Sequence, residues 1–293
     1  METRKHVWIT GANSGLGLAT SRALALAGWF VSMACRNEER GQRALAEVHR
    51  AAGRDSARLV LCDLASLDSV RKATTSLPKS HPTLHALVNN AATIQAKRQE
   101  TDDGFEMQLG VNHLGHFLLS HRLQPFMDTS GPDQARIVNV TSGAHKIGRI
   151  HWNDLQLEQG YGPFRSYAQT KLANILFTYE LARRLDGRFH VNCIHPGAIA
   201  SNFGRESGGA LAAFIFTVFR PFFLTAEQAA KPLVQLVDGS KGAVTGKYFS
   251  RHKEVRSSPA SYDIDAAQRL WSISTDLIDL TDEERRRSGL YRQ

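Results

Sequence analysis

Tyr167 and Lys171 stand four residues apart in Tyr167-Ala168-Gln169-Thr170-Lys171, a spacing that puts both on one face of a helix. A tyrosine alone is a poor acid or base at neutral pH, because its unperturbed pKa is about 10. A neighbouring ammonium favours the phenolate, lowers that pKa and makes proton exchange with an alcohol or carbonyl oxygen feasible. The same spacing also describes an ordinary solvated helix face, so the pair needs a second signal. That signal is Thr10-Gly11-Ala12-Asn13-Ser14-Gly15-Leu16-Gly17, a glycine-rich loop near the start of the chain.

His6-Val7-Trp8-Ile9-Thr10 reads as a short buried strand, and Leu18 to Ala27 as an apolar helix closed by Gly28. Between them Gly11, Gly15 and Gly17 permit a tight turn. They also let a pyrophosphate approach the helix N-terminus, where unpaired N–H groups and the helix dipole favour an anion. The spacing is G-x-x-x-G-x-G rather than G-x-G-x-x-G. The strand before it and the helix after it separate it from an ordinary glycine-rich turn.

Strands and helices alternate along the rest of the chain. Strand-like runs cover 7–10, 30–34, 58–62, 86–89, 136–140, 191–195 and 247–250, and helical stretches start near Gly15, Glu38, Leu67, Gly104, Phe164 and Ala226. Continuous apolar strands alternating with helices predict a seven-stranded, mostly parallel sheet covered on both faces. No Pro/Gly/Ser-rich linker or repeat divides residues 1–293, so one α/β domain is expected. Ser142 and the Pro196-Gly197 turn then fall at C-terminal strand ends, where open α/β sheets bind ligands.

Composition narrows the function classes. With 42% hydrophobic residues the chain can bury a sizeable core. Cys35, Cys62 and Cys193 each fall at or near the end of an apolar strand and read as buried free thiols in a reducing compartment. Their spacing fits neither a zinc site nor a disulfide framework, so no metal is expected. The formal charge of +8 comes without a basic run interleaved with aromatics, so nucleic-acid binding is not expected. Arg285-Arg286-Arg287 reads as a solvated helix face behind a Thr281-Asp282-Glu283-Glu284 cap. The first strand starts close to Met1, which predicts neither a signal peptide nor an N-terminal anchor.

Taken together, these residues resemble the short-chain dehydrogenase/reductase family over nearly the whole chain. Thr10 to Gly17 matches its cofactor loop, Asp63-Leu64 its adenine contact, Asn89-Asn90-Ala91-Ala92 a strand end, and Pro196-Gly197 the turn after the sixth strand. Asn112, Ser142, Tyr167 and Lys171 match its catalytic tetrad. Val111-Asn112-His113-Leu114-Gly115-His116-Phe117, Lys171 to Phe177, Ala34-Cys35-Arg36-Asn37, Gly148-Arg149-Ile150-His151 and Leu270-Trp271 are similar to the retinol dehydrogenase branch. Two positions depart from the family: Ala92 replaces a glycine, and Ser201 replaces a threonine but keeps the hydroxyl. The long Ser142 to Tyr167 interval is shared with the branch.

The resemblance implies a Rossmann-type, doubly wound fold and a nicotinamide cofactor. Its contacts carry over to Gly11, Asn13, Ser14, Gly15, Leu16, Gly17, Asp63, Leu64, Asn90, Ala91, Tyr167, Lys171, Pro196, Gly197, Ile199 and Ser201. Asp63 as a helix N-cap is the rival reading at that position. Charge selects the cofactor. The second strand ends in Arg36 with no acid there for the ribose, and an arginine can pair with a 2′-phosphate, so NADP(H) is expected. Tyr167 then exchanges the proton, Ser142 positions the substrate oxygen, Lys171 lowers the Tyr167 pKa and holds the ribose, and Asn112 supports a water relay. The histidines near the motifs are read as structural.

Residues 208–224 are rich in aromatic and aliphatic side chains and fall in the family's substrate lid, set here at about 198–225. Phe216 and Phe219 join Ser142 and Tyr167 as candidate substrate contacts, and the lining argues for an apolar alcohol or carbonyl. The remainder, about 262–293, is a C-terminal helical extension. A cytoplasmic protein is expected, with peripheral membrane contact through the lid left open, as is the choice between monomer and homodimer. Two rivals share the fold: a non-catalytic NADP-sensing or scaffold protein, which has no reason to keep Ser142, Tyr167 and Lys171, and a nucleotide-sugar epimerase or dehydratase, which Arg36 and the apolar lid disfavour.

Overall fold

Along β1 (His6–Thr10), Val7 and Ile9 point to one side and Trp8 to the other, the period-two alternation of a pleated strand buried on both faces. The computed structural model describes residues 4–75, 77–128, 134–198 and 224–290. In it β1 pairs in parallel with β2 (Phe30–Cys35) and β4 (Ala86–Asn89). Beyond β2 lies β3 (Ala57–Leu61), and beyond β4 follow β5 (Arg136–Val140), β6 (His190–His195) and β7 (Lys247–Ser250), all parallel. The expected seven strands are present and an eighth is added: β8 (Lys253–Glu254) runs antiparallel to β7, so the order is β3-β2-β1-β4-β5-β6-β7-β8. Two exposed charged residues carry no strand periodicity, which is why β8 leaves no trace in the sequence.

Helices cover both faces. On one lie α1 (Gly15–Leu26) and α2 (Glu38–Ala52), the latter capped by the Asn37 side chain, which accepts from Arg40 N–H at 2.8 Å. On the other lie α3 (Leu67–Ala73), α4 (Met107–Leu109), α5 (Gly115–Leu123) and α6 (Pro163–Leu185). The first face is completed by α7 (Ala226–Val237), which opens with a Thr225/Gln228 capping box. The helix expected near Gly104 starts at Met107 instead. Gly104 sits at φ +82°, outside helical space, and Glu106 caps α4 with both carboxylate oxygens, on Gln108 and Leu109 N–H.

Outside α6 packs α8 (Ile264–Leu277), and α9 (Asp282–Ser288) follows with the expected cap: Thr281 and Glu284 form a reciprocal capping box. Glu284 is buried there and also accepts from Arg71 at 3.2 Å and Arg122 at 3.1 Å, tying the C-terminal helix to α3 and α5. The three cysteines are free and buried. Among the described residues no helix is long and apolar enough to cross a membrane.

Candidate active site

The glycine loop turns where β1 meets two neighbours, β2 and β4, and the strand order reverses. Gly11 and Gly15 hold φ +64° and +50°, left-handed conformations that a side chain disfavours. A Cβ on Gly17 would stand 2.2 Å from the Gly11 carbonyl oxygen and 2.8 Å from Asn90 Nδ2. The loop is therefore pressed against the end of β4. Asn90 reinforces the contact by donating from Nδ2 to Thr10 O at 2.8 Å. At the mouth of the cradle Ser14 is the N-cap of α1 but makes no side-chain capping bond, so its side chain does not occupy the first-turn N–H groups. Asn13, Ser14 and Leu16 complete the turn. These residues fit a dinucleotide phosphate, which needs close backbone approach and unspent N–H donors.

Across the sheet, Ser142 follows β5 and the Tyr167–Lys171 pair rides on the first turns of α6. The Ser142 and Tyr167 hydroxyls share a hydrogen bond. Ser142 Oγ also accepts from Ala144 N–H at 3.3 Å, and Lys171 Nζ lies 5.4 Å from the Tyr167 ring centroid while donating to Val140 O at 3.2 Å. Lys171 is buried, and burial pushes its ammonium down to about 8. Burial likewise pushes the Tyr167 phenol up to about 12, against the pull of the Ser142 hydrogen bond. The net direction at Tyr167 is upward in this structure, where desolvation of the phenolate is the largest influence.

Asn112 sits in a wide π turn, Gly110–Leu114, inserted between α4 and α5. Its amide bridges to the Thr93 backbone, accepting from N–H at 2.7 Å and donating to O at 3.0 Å, and donates to Thr170 Oγ1 at 3.3 Å. That last bond joins the turn to the residue beside Lys171.

The remaining candidates divide between β2, β3 and β6. Arg36, just past β2, is exposed and forms no hydrogen bond or ion pair with a described residue. Asp63 is no helix N-cap: Ser66 caps α3, and Asp63 Oδ1 instead accepts from Ala65 N–H at 2.9 Å in a local turn. Leu64 is buried against Gly115, where a Cβ would stand 2.7 Å from the Leu64 carbonyl. Ala91 follows Asn90 against Gly11. Pro196 and Gly197 follow β6, with Gly197 at φ +105°. Ile199, Ser201, Phe216, Phe219 and most of the expected lid lie outside the described residues.

Four positions near the site were not singled out by spacing. Glu106 accepts from Ser166 Oγ at 2.9 Å, linking the cap of α4 to the residue before Tyr167. Gln169 accepts from His151 N–H at 2.9 Å and donates to Leu155 O at 2.8 Å, so it holds the long Ser142–Tyr167 connection. Gly148 lets that connection touch α6, since a Cβ there would meet Ala168 O at 2.3 Å. Phe164 is exposed with its ring 6.3 Å from that of Tyr167. Gln169 lies inside the Tyr/Lys motif and Gly148 inside the Gly148-Arg149-Ile150-His151 stretch, whereas the contacts of Glu106 and Phe164 leave no local signal.

Comparison with known proteins gives the family. A family model described as short chain dehydrogenase matches residues 5–210. Retinol dehydrogenase 12 of Homo sapiens is 39% identical over 279 residues, covering 94% of this chain and 87% of its own length. Retinol dehydrogenase 14 of Mus musculus is 41% identical over 290 residues, covering 94% and 86%. Among solved structures, an uncharacterized protein from Mycobacterium paratuberculosis superposes with a TM-score of 0.76 at 33% identity, covering 94% of each chain.

Proposed function

The chain belongs to the short-chain dehydrogenase family, an oxidoreductase family, and from that premise we propose that it interconverts an apolar alcohol and its aldehyde or ketone with NADP(H). The observation that carries this reading is the meeting of Ser142, Tyr167 and Lys171 at the end of β5, across the sheet from the glycine cradle. When bound, NADPH supplies the hydride to the carbonyl carbon. The substrate oxygen is held by Ser142 Oγ. Tyr167, whose phenol burial keeps protonated at neutral pH, donates its proton to that oxygen. Lys171 carries an ammonium below about pH 8 and steadies the charge that develops on the tyrosine oxygen. Asn112, joined to Thr170 beside Lys171, leads the replacement proton in from solvent.

Arg36 supports the choice of NADP(H) over NAD(H), since an exposed guanidinium past β2 can form charge-assisted bonds to a 2′-phosphate. The apolar substrate class is supported by exposed Phe164 and Ile147, which flank Tyr167 and follow Ser142, and by relatives that are by name dehydrogenases of retinol. Three free buried thiols suit a reducing compartment, so the cytoplasm is the proposed location. The test is to incubate the pure protein with NADPH and a panel of apolar and polar carbonyls and follow nicotinamide absorbance. Turnover confined to the apolar members is expected. Cofactor binding without turnover on any member would favour a sensor or scaffold.

A further inference from the structure

Thr10, Asn90 and Asn112 belong to three separate elements, and one imidazole joins them. His116, in the first turn of α5, is buried. Its Nδ1 stands 3.2 Å from the Asn112 carbonyl oxygen, and its Nε2 2.9 Å from Thr10 Oγ1. A carbonyl oxygen can only accept, so the ring hydrogen is on Nδ1, and Nε2 is left with a lone pair that needs a donor. The Thr10 hydroxyl is that donor. It accepts from Asn90 N–H at 2.8 Å and Ala91 N–H at 3.0 Å, which leaves its own hydrogen for Nε2. The rival acceptor for that hydrogen, the Val88 carbonyl, is farther away at 3.4 Å. Burial, helped by the charges of Lys171 and His113, pushes the ring down to about 3, so a doubly protonated ring does not compete.

We infer that His116 is a positioning residue: in its Nδ1–H form it ties the carbonyl of the Asn112 turn to Thr10 and, through Thr10, to the Asn90–Ala91 end of β4. The cradle proposed to hold the cofactor phosphates and the turn proposed to feed Lys171 then share one hydrogen-bonded spine. This rests on the reading of Asn112 as part of the proton relay. Neither Thr10 nor His116 touches the reacting atoms; they act by fixing the groups that do.

The tautomer is read directly by 15N NMR of ring-labelled histidine in the full chain, with His116→Gln identifying the resonance. Between about pH 5 and 8 His116 should show a protonated Nδ1 and a bare Nε2; a protonated Nε2 overturns the inference. In kinetics, Thr10→Val and His116→Gln should each lower kcat roughly tenfold with the carbonyl KM unchanged, the scale of a small misplacement. The double variant should fall no further than the worse single one, as coupled partners do, and Thr10→Ser should recover most of the loss. Additive losses, or a kcat that holds while only Tm drops, would reduce His116 to a packing role. Should His116→Gln fail to fold, the Thr10→Val and Thr10→Ser pair still decides. Asn112→Ala separates the layers: parent-like turnover in that variant removes Asn112 from the relay, whereas a crippled Asn112→Ala beside intact Thr10→Val removes only His116.

Discussion

The two faces of the sheet are built from the same strands and from different chemistry. Under α1, α2 and α7 the strands present Val7, Ile9, Val31, Val88 and Val138 to Leu24, Val48 and Leu233, an aliphatic core specified by volume. The opposite face interleaves Trp8, Leu87 and Ile137 with Thr10, Asn89 and Asn139. There Asn89 Nδ2 donates to Asn139 Oδ1 at 2.8 Å and to Ser120 Oγ at 3.0 Å, and Asn139 Nδ2 donates to Thr178 Oγ1 at 2.9 Å. A buried polar group left unbonded costs about 1–3 kcal/mol, so this face tolerates few arrangements. The helices that bear Asn112, Tyr167 and Lys171 pack on it. Directional bonds thus fix the arrangement of the face that bears the proposed site, in addition to its apolar packing, whereas the other face is held chiefly by apolar packing.

The hardest blow to the polar side is Lys171→Met. It keeps length and removes an ammonium that burial has pushed down to about 8, so turnover should fall by roughly 10²-fold or more while stability holds or rises. Next is Arg36→Ala, which removes one charge-assisted bond worth about 1.5–3 kcal/mol and should raise the NADPH KM about 10- to 10²-fold with little change for NADH. Equal losses with both cofactors would show that Arg36 does not read the phosphate. A smaller effect comes from pH. Lys171 is protonated below about 8 and Tyr167 below about 12, so reductive kcat/KM should be level below pH 8 and decline above it, at most about tenfold per unit. The limb should move upward in Lys171→Arg; a limb that stays put belongs to another group. Stability has the opposite trend there: from about 8 to the ordinary 10.5 the unfolded chain holds the extra lysine proton, so the Lys171 contribution rises with pH. The smallest effect on turnover belongs to the aliphatic face. Leu233→Ala should cost about 2–5 kcal/mol in urea unfolding and leave kcat per folded molecule unchanged. A parallel loss of kcat would erase the division between the faces.

Features that lie in one dimension are legible in the sequence, and those that depend on distant partners are not. Ala86–Asn89, Arg136–Val140 and Lys247–Ser250 coincide with apolar runs bounded by turn residues, and the Gly11–Gly17 loop and the Tyr167–Lys171 pair are local spacings. The π turn at Asn112 leaves no periodic mark, and the hydrogen-bonded pair Thr10 and His116 lie 106 residues apart in sequence. The burial that raises the Tyr167 phenol belongs to the folded site and has no mark in the Tyr/Lys spacing. Gly104 looked like a helix start, but its positive φ delays α4 until Glu106 provides a cap.

Tyr167→Phe tests the central claim most directly, because it removes one hydroxyl and keeps the ring that packs near Lys171 and Phe164. With NADPH and an apolar aldehyde, kcat should fall by roughly 10²-fold or more while the Kd for NADPH, measured by fluorescence titration, stays at the parent value. A variant that retained most of its turnover would contradict the assignment of proton transfer to Tyr167 and the mechanism built on it.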